Sequence, residues 1–102
     1  MEIQYTNLKD FNEDEVKEIK EKTERDFAKV LRHFPNTTLR VEAKKMHKAG
    51  DRCKYSFHLK VEDATSLLLT AKFADWNLGT ALNEVLSNLK QEASNKFERK
   101  HS

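Results

Sequence analysis

A chain of 102 residues, 37% hydrophobic and 35% charged, holds apolar material for one core and no more, so a single domain over residues 1–102 is expected. Nineteen Lys and Arg against seventeen Asp and Glu leave a formal net charge of +2, so any affinity for a polyanion has to come from where the charges sit. The single cysteine, Cys53, excludes an internal disulfide, and the longest purely apolar run, Leu67 to Leu69, is far too short to span a bilayer; a soluble cytoplasmic protein is expected.

Taken in order, Ile3 and Tyr5 alternate with polar neighbours, which predicts a strand of about five residues at or near a sheet edge. Asn12 with Glu15 three positions on has capping-box spacing, and Phe11 with Val16 that of a hydrophobic staple, so a helix starts there. Val16, Ile19, Thr23, Phe27, Val30, Leu31 and Phe34 keep spacings of three and four up to the stop at Pro35 and Asn36, and form one apolar stripe. Glu13 with Lys17, Glu18 with Lys22, and Glu21 with Arg25 are spaced as i,i+4 pairs. Lys22, Arg25, Lys29 and Arg32 follow a 3-4-3 spacing and form a basic ridge turned away from that stripe, toward solvent. Such a ridge can track phosphates; equally, it can be an ordinary solvated face partly neutralised by Glu18, Glu21 and Asp26.

Leu39, Val41 and Ala43 mark a second strand, followed by a loop around His47 to Asp51 where Gly50 supplies a permissive turn position. From Arg52 to Val61 the alternation is unbroken, with Cys53, Tyr55, Phe57, Leu59 and Val61 on the core side and Cys53 expected as a small buried hydrophobe. After a polar turn at Glu62 to Thr65, Leu67, Leu69, Ala71 and Phe73 alternate with Leu68, Thr70 and Lys72 as a fourth strand. Asp75 or Asn77 then caps a second helix whose stripe is Leu78, Leu82, Val85, Leu89 and Ala93. The order β-α-β-β-β-α makes an α+β fold, a four-stranded sheet with two helices packed on one face, similar to the double-stranded-RNA-binding domain. The opposite sheet face then carries Arg40, Lys44, Arg52, Lys54, His58, Lys60 and Lys72, with Glu42 and Leu68 among them.

No Gly-rich phosphate loop, Cys-x-x-Cys pair or metal-ligand spacing is present, and His33, His47, His58 and His101 stand far apart. The acids cluster on a solvated helix, where paired carboxylates are hard to tune as acid and base. No catalytic residue, metal or cofactor is expected. Tyr55 and Phe57 fall on the core side, and the glycines of the RNA recognition motif are missing, which removes that module.

Met1 to Tyr5, the helix end Phe-Ala-Lys-Val-Leu-Arg-His-Phe at Phe27 to Phe34, and Asn77 to Leu89 together resemble the ribosome hibernation promoting factor and ribosome-associated inhibitor family, the sigma modulation proteins. Asn77 and Asn83 stand where that family usually has acids, and Gly79 where it has Tyr. Family members lodge in the small ribosomal subunit's channel for messenger and transfer RNA, with basic helix and sheet residues against ribosomal RNA. The resemblance implies RNA contacts by Lys22, Arg25, Lys29 and Arg32, and further ones by Lys90, Lys96, Arg99 and Lys100. Arg40, Lys44, Arg52, Lys54, Lys60 and Lys72 form a second candidate surface. It also implies the short type without the added dimerisation domain, monomeric off the ribosome, acting in the stress response by translation inhibition, with neither a membrane nor a small-molecule substrate as partner. The alternative is a protein-interaction module or dimer of the same fold that binds no RNA.

Overall fold

The computed structural model describes residues 1–50 and 52–101, without the side chains at 47–49, 100 and 101. The strands are β1 Glu2–Thr6, β2 Thr38–Ala49, β3 Arg52–Glu62 and β4 Leu67–Asp75; the helices are α1 Glu13–Leu31 and α2 Leu78–His101. This is the expected α+β order, with an additional 3-10 turn at Leu8–Asp10. The strands form one sheet in sequence order, β1 parallel to β2 and the other pairs antiparallel. A parallel pair cannot be joined by a tight turn, and α1 is the crossover that links β1 to β2.

Local chemistry sets the boundaries. Asn12 Oδ1 accepts from the Glu15 N–H at 2.8 Å and Glu15 Oε1 from the Asn12 N–H at 2.9 Å, a complete capping box. The helix ends at Leu31, before the end of its apolar stripe. Phe34 nonetheless reaches the core, because its N–H closes on the Val30 carbonyl at 3.0 Å before the chain turns at Asn36, φ 65°. The loop expected around His47 is instead strand: β2 pairs with β3 as far as Ala49 and Arg52, with a bulge between Met46 and Lys48, and Gly50 at φ 66° turns the hairpin. Asp51 and the side chains of His47 and His101 lie outside the described residues. At the next turn Asp63 Oδ1 accepts from the N–H groups of Thr65 and Ser66, which draws its carboxyl below the usual carboxylate range.

Across the core face the rows are Leu39, Val61 and Leu69; Val41, Leu59 and Ala71; and Ala43, Phe57 and Phe73. Ile19, Phe27 and Val30 of α1 and Leu82, Val85, Leu86 and Leu89 of α2 are buried against them, so both helices cover this one face. Thr23, within the α1 stripe, satisfies its buried hydroxyl on the Ile19 carbonyl and the Tyr5 hydroxyl, which ties β1 to α1. Three side chains depart from expectation. A register shift opposite Val61 and Glu62 leaves Leu68 as the extra residue, so Leu67 is 51% exposed while Leu68 packs against the core. Cys53 is half-buried and not fully enclosed in the core.

The helices run side by side in the same direction. Lys22 and Glu18 approach Gly79, Asp26 meets Lys90 and His33 stacks on Phe97, so contacts advance together along both helices. Gly79 is a point of close approach, since a Cβ there would lie 3.5 Å from Glu18 Oε2 and 3.3 Å from Asn77 Oδ1. Asn77 Oδ1 accepts from the Thr80 N–H at 2.8 Å and so caps α2. No described helix is long and apolar enough to cross a membrane.

Candidate nucleic-acid interface

The basic ridge of α1 divides into parts with different surroundings. Lys22, at 24% side-chain exposure, pairs with Glu18 at 3.0 Å beside Gly79, in the seam between the helices and not in open solvent as its spacing suggests. Glu18–Lys22 is the expected i,i+4 pair that forms; Arg25 turns instead to Asp26, Nε to Oδ1 3.3 Å. Asp26 is one position from Phe27, on the border of the apolar stripe, and so lies under α2 with its side chain 5% exposed. Lys29 and Lys90 approach the same Oδ1 at 3.9 and 3.4 Å.

Three cations around one buried carboxylate leave a local excess of two positive charges, on side chains whose outer parts remain wet: Arg25 is 60% and Lys29 54% exposed. Arg32 is exposed just beyond the helix end, and His33 packs on Phe97 with ring centroids 4.1 Å apart. Between them lies a notch of about 130 Å³ lined by Lys29, Val30, His33, Lys90, Ala93 and Ser94. Sites for small organic ligands start at about 300 Å³. This notch suits a single anionic group with phosphate geometry better than a cofactor.

The basic residues assigned to α2 are not brought together. Lys90 joins the α1 cluster, whereas Lys96 lies on the other flank and donates to the Leu68 carbonyl of β4 at 2.8 Å. Arg99 borders that same β4-side groove and donates to the Asn95 carbonyl, and the Lys100 side chain lies outside the described residues. The exposed positions Thr80, Asn83, Glu84, Ser87, Asn88 and Gln91 of α2 carry no cation. Among the described residues, the exposed middle of α2 therefore offers a polyanion no cation, with positive charge on its α1 side and, separately, at Lys96 and Arg99 on its β4 side.

The opposite sheet face is divided too. Toward β1, Arg40 pairs with Glu62 at 3.2 Å and Lys60 with Glu42 at 2.9 Å, while His58 Nδ1 lies 3.7 Å from Glu42. The Lys60 ammonium, aided by His58 and Arg40, holds the Glu42 carboxyl below its ordinary range. Toward the β2–β3 turn, Lys44 and Lys54 have no ion pair among the described residues, nor has Lys72 on β4 level with His58, and Arg52 lies over the Trp76 ring, Cζ 5.0 Å from its centroid.

Lys45 went unnoticed in the sequence, although it continues the alternation of Leu39, Val41 and Ala43 and so belongs on the core side. Its ammonium meets Glu15 at 2.9 Å and lies 5.2 Å from the Phe11 ring centroid, while the Tyr55 hydroxyl donates to Glu15 Oε2 at 3.0 Å. Burial pushes the Glu15 carboxyl up, but the Lys45, Asn12 and Tyr55 hydrogen bonds outweigh it and hold it below its ordinary range. The Tyr55 phenol is pushed up by the Cys53 thiol, by burial and by the Glu15 carboxylate. These groups are mutually satisfied, so the cluster braces the start of α1 against the sheet and leaves nothing pointing at a ligand.

Neither protein-family models nor curated proteins match this chain. Among the described residues no three His, Cys, Asp or Glu side chains gather as a metal site.

Proposed function

We propose that this protein is a cytoplasmic ribosome-associated hibernation factor that occupies the decoding channel of the small subunit and is held on ribosomal RNA by the α1 side of the helix pair. The supporting observation is the convergence of Arg25, Lys29 and Lys90 on Asp26 next to the exposed Arg32. Two surplus charges are thereby held on packed helices at defined positions, which suits recognition of RNA by shape and phosphate contact. The choice of the ribosome among RNAs comes from the family resemblance at residues 1–5, 27–34 and 77–89. Inhibition needs no catalytic step, because a folded domain in the channel excludes messenger and transfer RNA by occupancy.

Dimerisation through a sheet edge has less support. β1 is only five residues long, and on β4 a bulge and the Lys96 ammonium at the Leu68 carbonyl blunt the other edge.

Co-sedimentation with small ribosomal subunits across a salt series tests the role. The expected result is a bound fraction that falls steeply with salt, since phosphate contacts release counterions. A chain that stays in the supernatant even at low salt would overturn the proposal.

A further inference from the structure

We infer that the exposed sheet face, on the side away from the helices, is a separate site for single-stranded RNA, with a base stacked on Trp76 and phosphates held by Arg52, Lys54, Lys44 and Lys72. It is independent of the ribosomal role, since it uses none of the α1 residues.

Solubility alone accounts for scattered lysines on an open sheet, but not for how this face is sorted. Its acids Glu2, Glu42 and Glu62 lie in the rows that β1 spans, where Arg40 and Lys60 pair with Glu62 and Glu42. On the edge strand Lys72, level with His58 and Glu42, has no ion pair among the described residues, and beyond that row neither has Lys44 or Lys54. That is where Trp76 stands, 38% exposed. Asp75 pairs with Tyr55 on the core side and ends β4, and alternation extended by one residue into the bend turns Trp76 to the outward side. The Arg52 guanidinium over its ring agrees with that placement.

An exposed aromatic amid unpaired cations is the arrangement that single strands use: a base has a free π-face to stack, and the backbone follows the charges. A duplex cannot use it, since its bases are already stacked inside the helix. From the level of Trp76 to Lys72 the platform runs about 14 Å at the rise of an extended strand.

Trp76 is the sole tryptophan, so its emission reports on this site directly. A short oligouridylate titrated at low salt is expected to quench it saturably, while a duplex RNA of equal length leaves it unchanged. Replacing Lys44, Lys54 and Lys72 together by Gln is expected to weaken that quench at least tenfold in apparent Kd, roughly, with the salt dependence reduced. Trp76→Ala, followed by anisotropy of a labelled oligouridylate, is expected to lose about five- to a hundredfold in affinity. No saturable quench, equal quenching by duplex, or a quench removed by Gln at Arg25, Lys29 and Arg32 but kept in the lysine variant would each overturn the site. Quenching that persists in a chain that never sediments with the small subunit supports this site and overturns the ribosomal role alone.

Discussion

Asp26 works for the fold and against binding. Its buried carboxylate holds Arg25, Lys29 and Lys90 together, yet it cancels part of the field a polyanion would meet. Asp26→Asn should therefore lower stability by about 1–3 kcal/mol in urea unfolding, while affinity for a duplex RNA at low salt rises roughly fivefold, the effect of about 1 kcal/mol from one removed charge. Glu15 works only for the fold. Its carboxyl is held below the ordinary 4.5 in the folded state, so the stabilisation is present above that value and is lost as pH falls through the folded one. Glu15→Gln is expected to cost about 1–3 kcal/mol at neutral pH, and the gap to the parent chain should narrow in urea melts taken below about pH 4.5. Spacing exposes the capping role of Glu15 to a reader of the sequence; its bonds to Lys45 and Tyr55 come from residues 30 and 40 positions away and are visible only after folding.

At the scale of elements, α1 was the most legible, because its cap, staple and apolar stripe all act within the helix or next to it. Its basic ridge was legible as a spacing, but its chemistry was not, since the partner of Arg25 and Lys29 lies under a helix that begins some fifty residues later. Replacing Arg25, Lys29 and Arg32 by Gln should reduce the slope of log affinity against log salt for ribosomal RNA by roughly one for each phosphate no longer neutralised, at most about three. Circular dichroism should still show the folded chain, because Lys90 continues to pair with the buried Asp26, although the melt should come at a lower temperature. Strand β4 shows the opposite case. Strict alternation puts Leu67 inside and Leu68 outside, but one extra residue at the bulge reverses both, and nothing local announces it.

At the scale of the whole molecule, the sheet keeps the helices parallel, and that packing sets the distance between Asp26 and Lys90. Phe57 sits at the centre of the scaffold, fully buried between Ala43 and Phe73. Phe57→Ala should cost about 3–5 kcal/mol by denaturant titration, and binding should fall only as the folded fraction does. The molecule measures 50 Å along its longest axis against 22 and 21 Å across. The helices cover one face of the sheet, so the α1 side and the open sheet face look in different directions.

The sequence alone determined the element order, the core face of each strand up to the bulge, and the start of α1, and it narrowed the cap of α2 to Asp75 or Asn77. Periodicity and capping are properties of neighbouring residues, which is why these were readable. Only the tertiary structure decided which cations remain available: Lys22, Lys60 and Arg40 are taken up by acids, Lys96 by a carbonyl, and Lys44, Lys54 and Lys72 stand on the exposed sheet face without ion pairs among the described residues. The physical reason is that charge pairing depends on distances of a few ångströms between residues far apart in the chain, and those distances exist only once helices and sheet are packed.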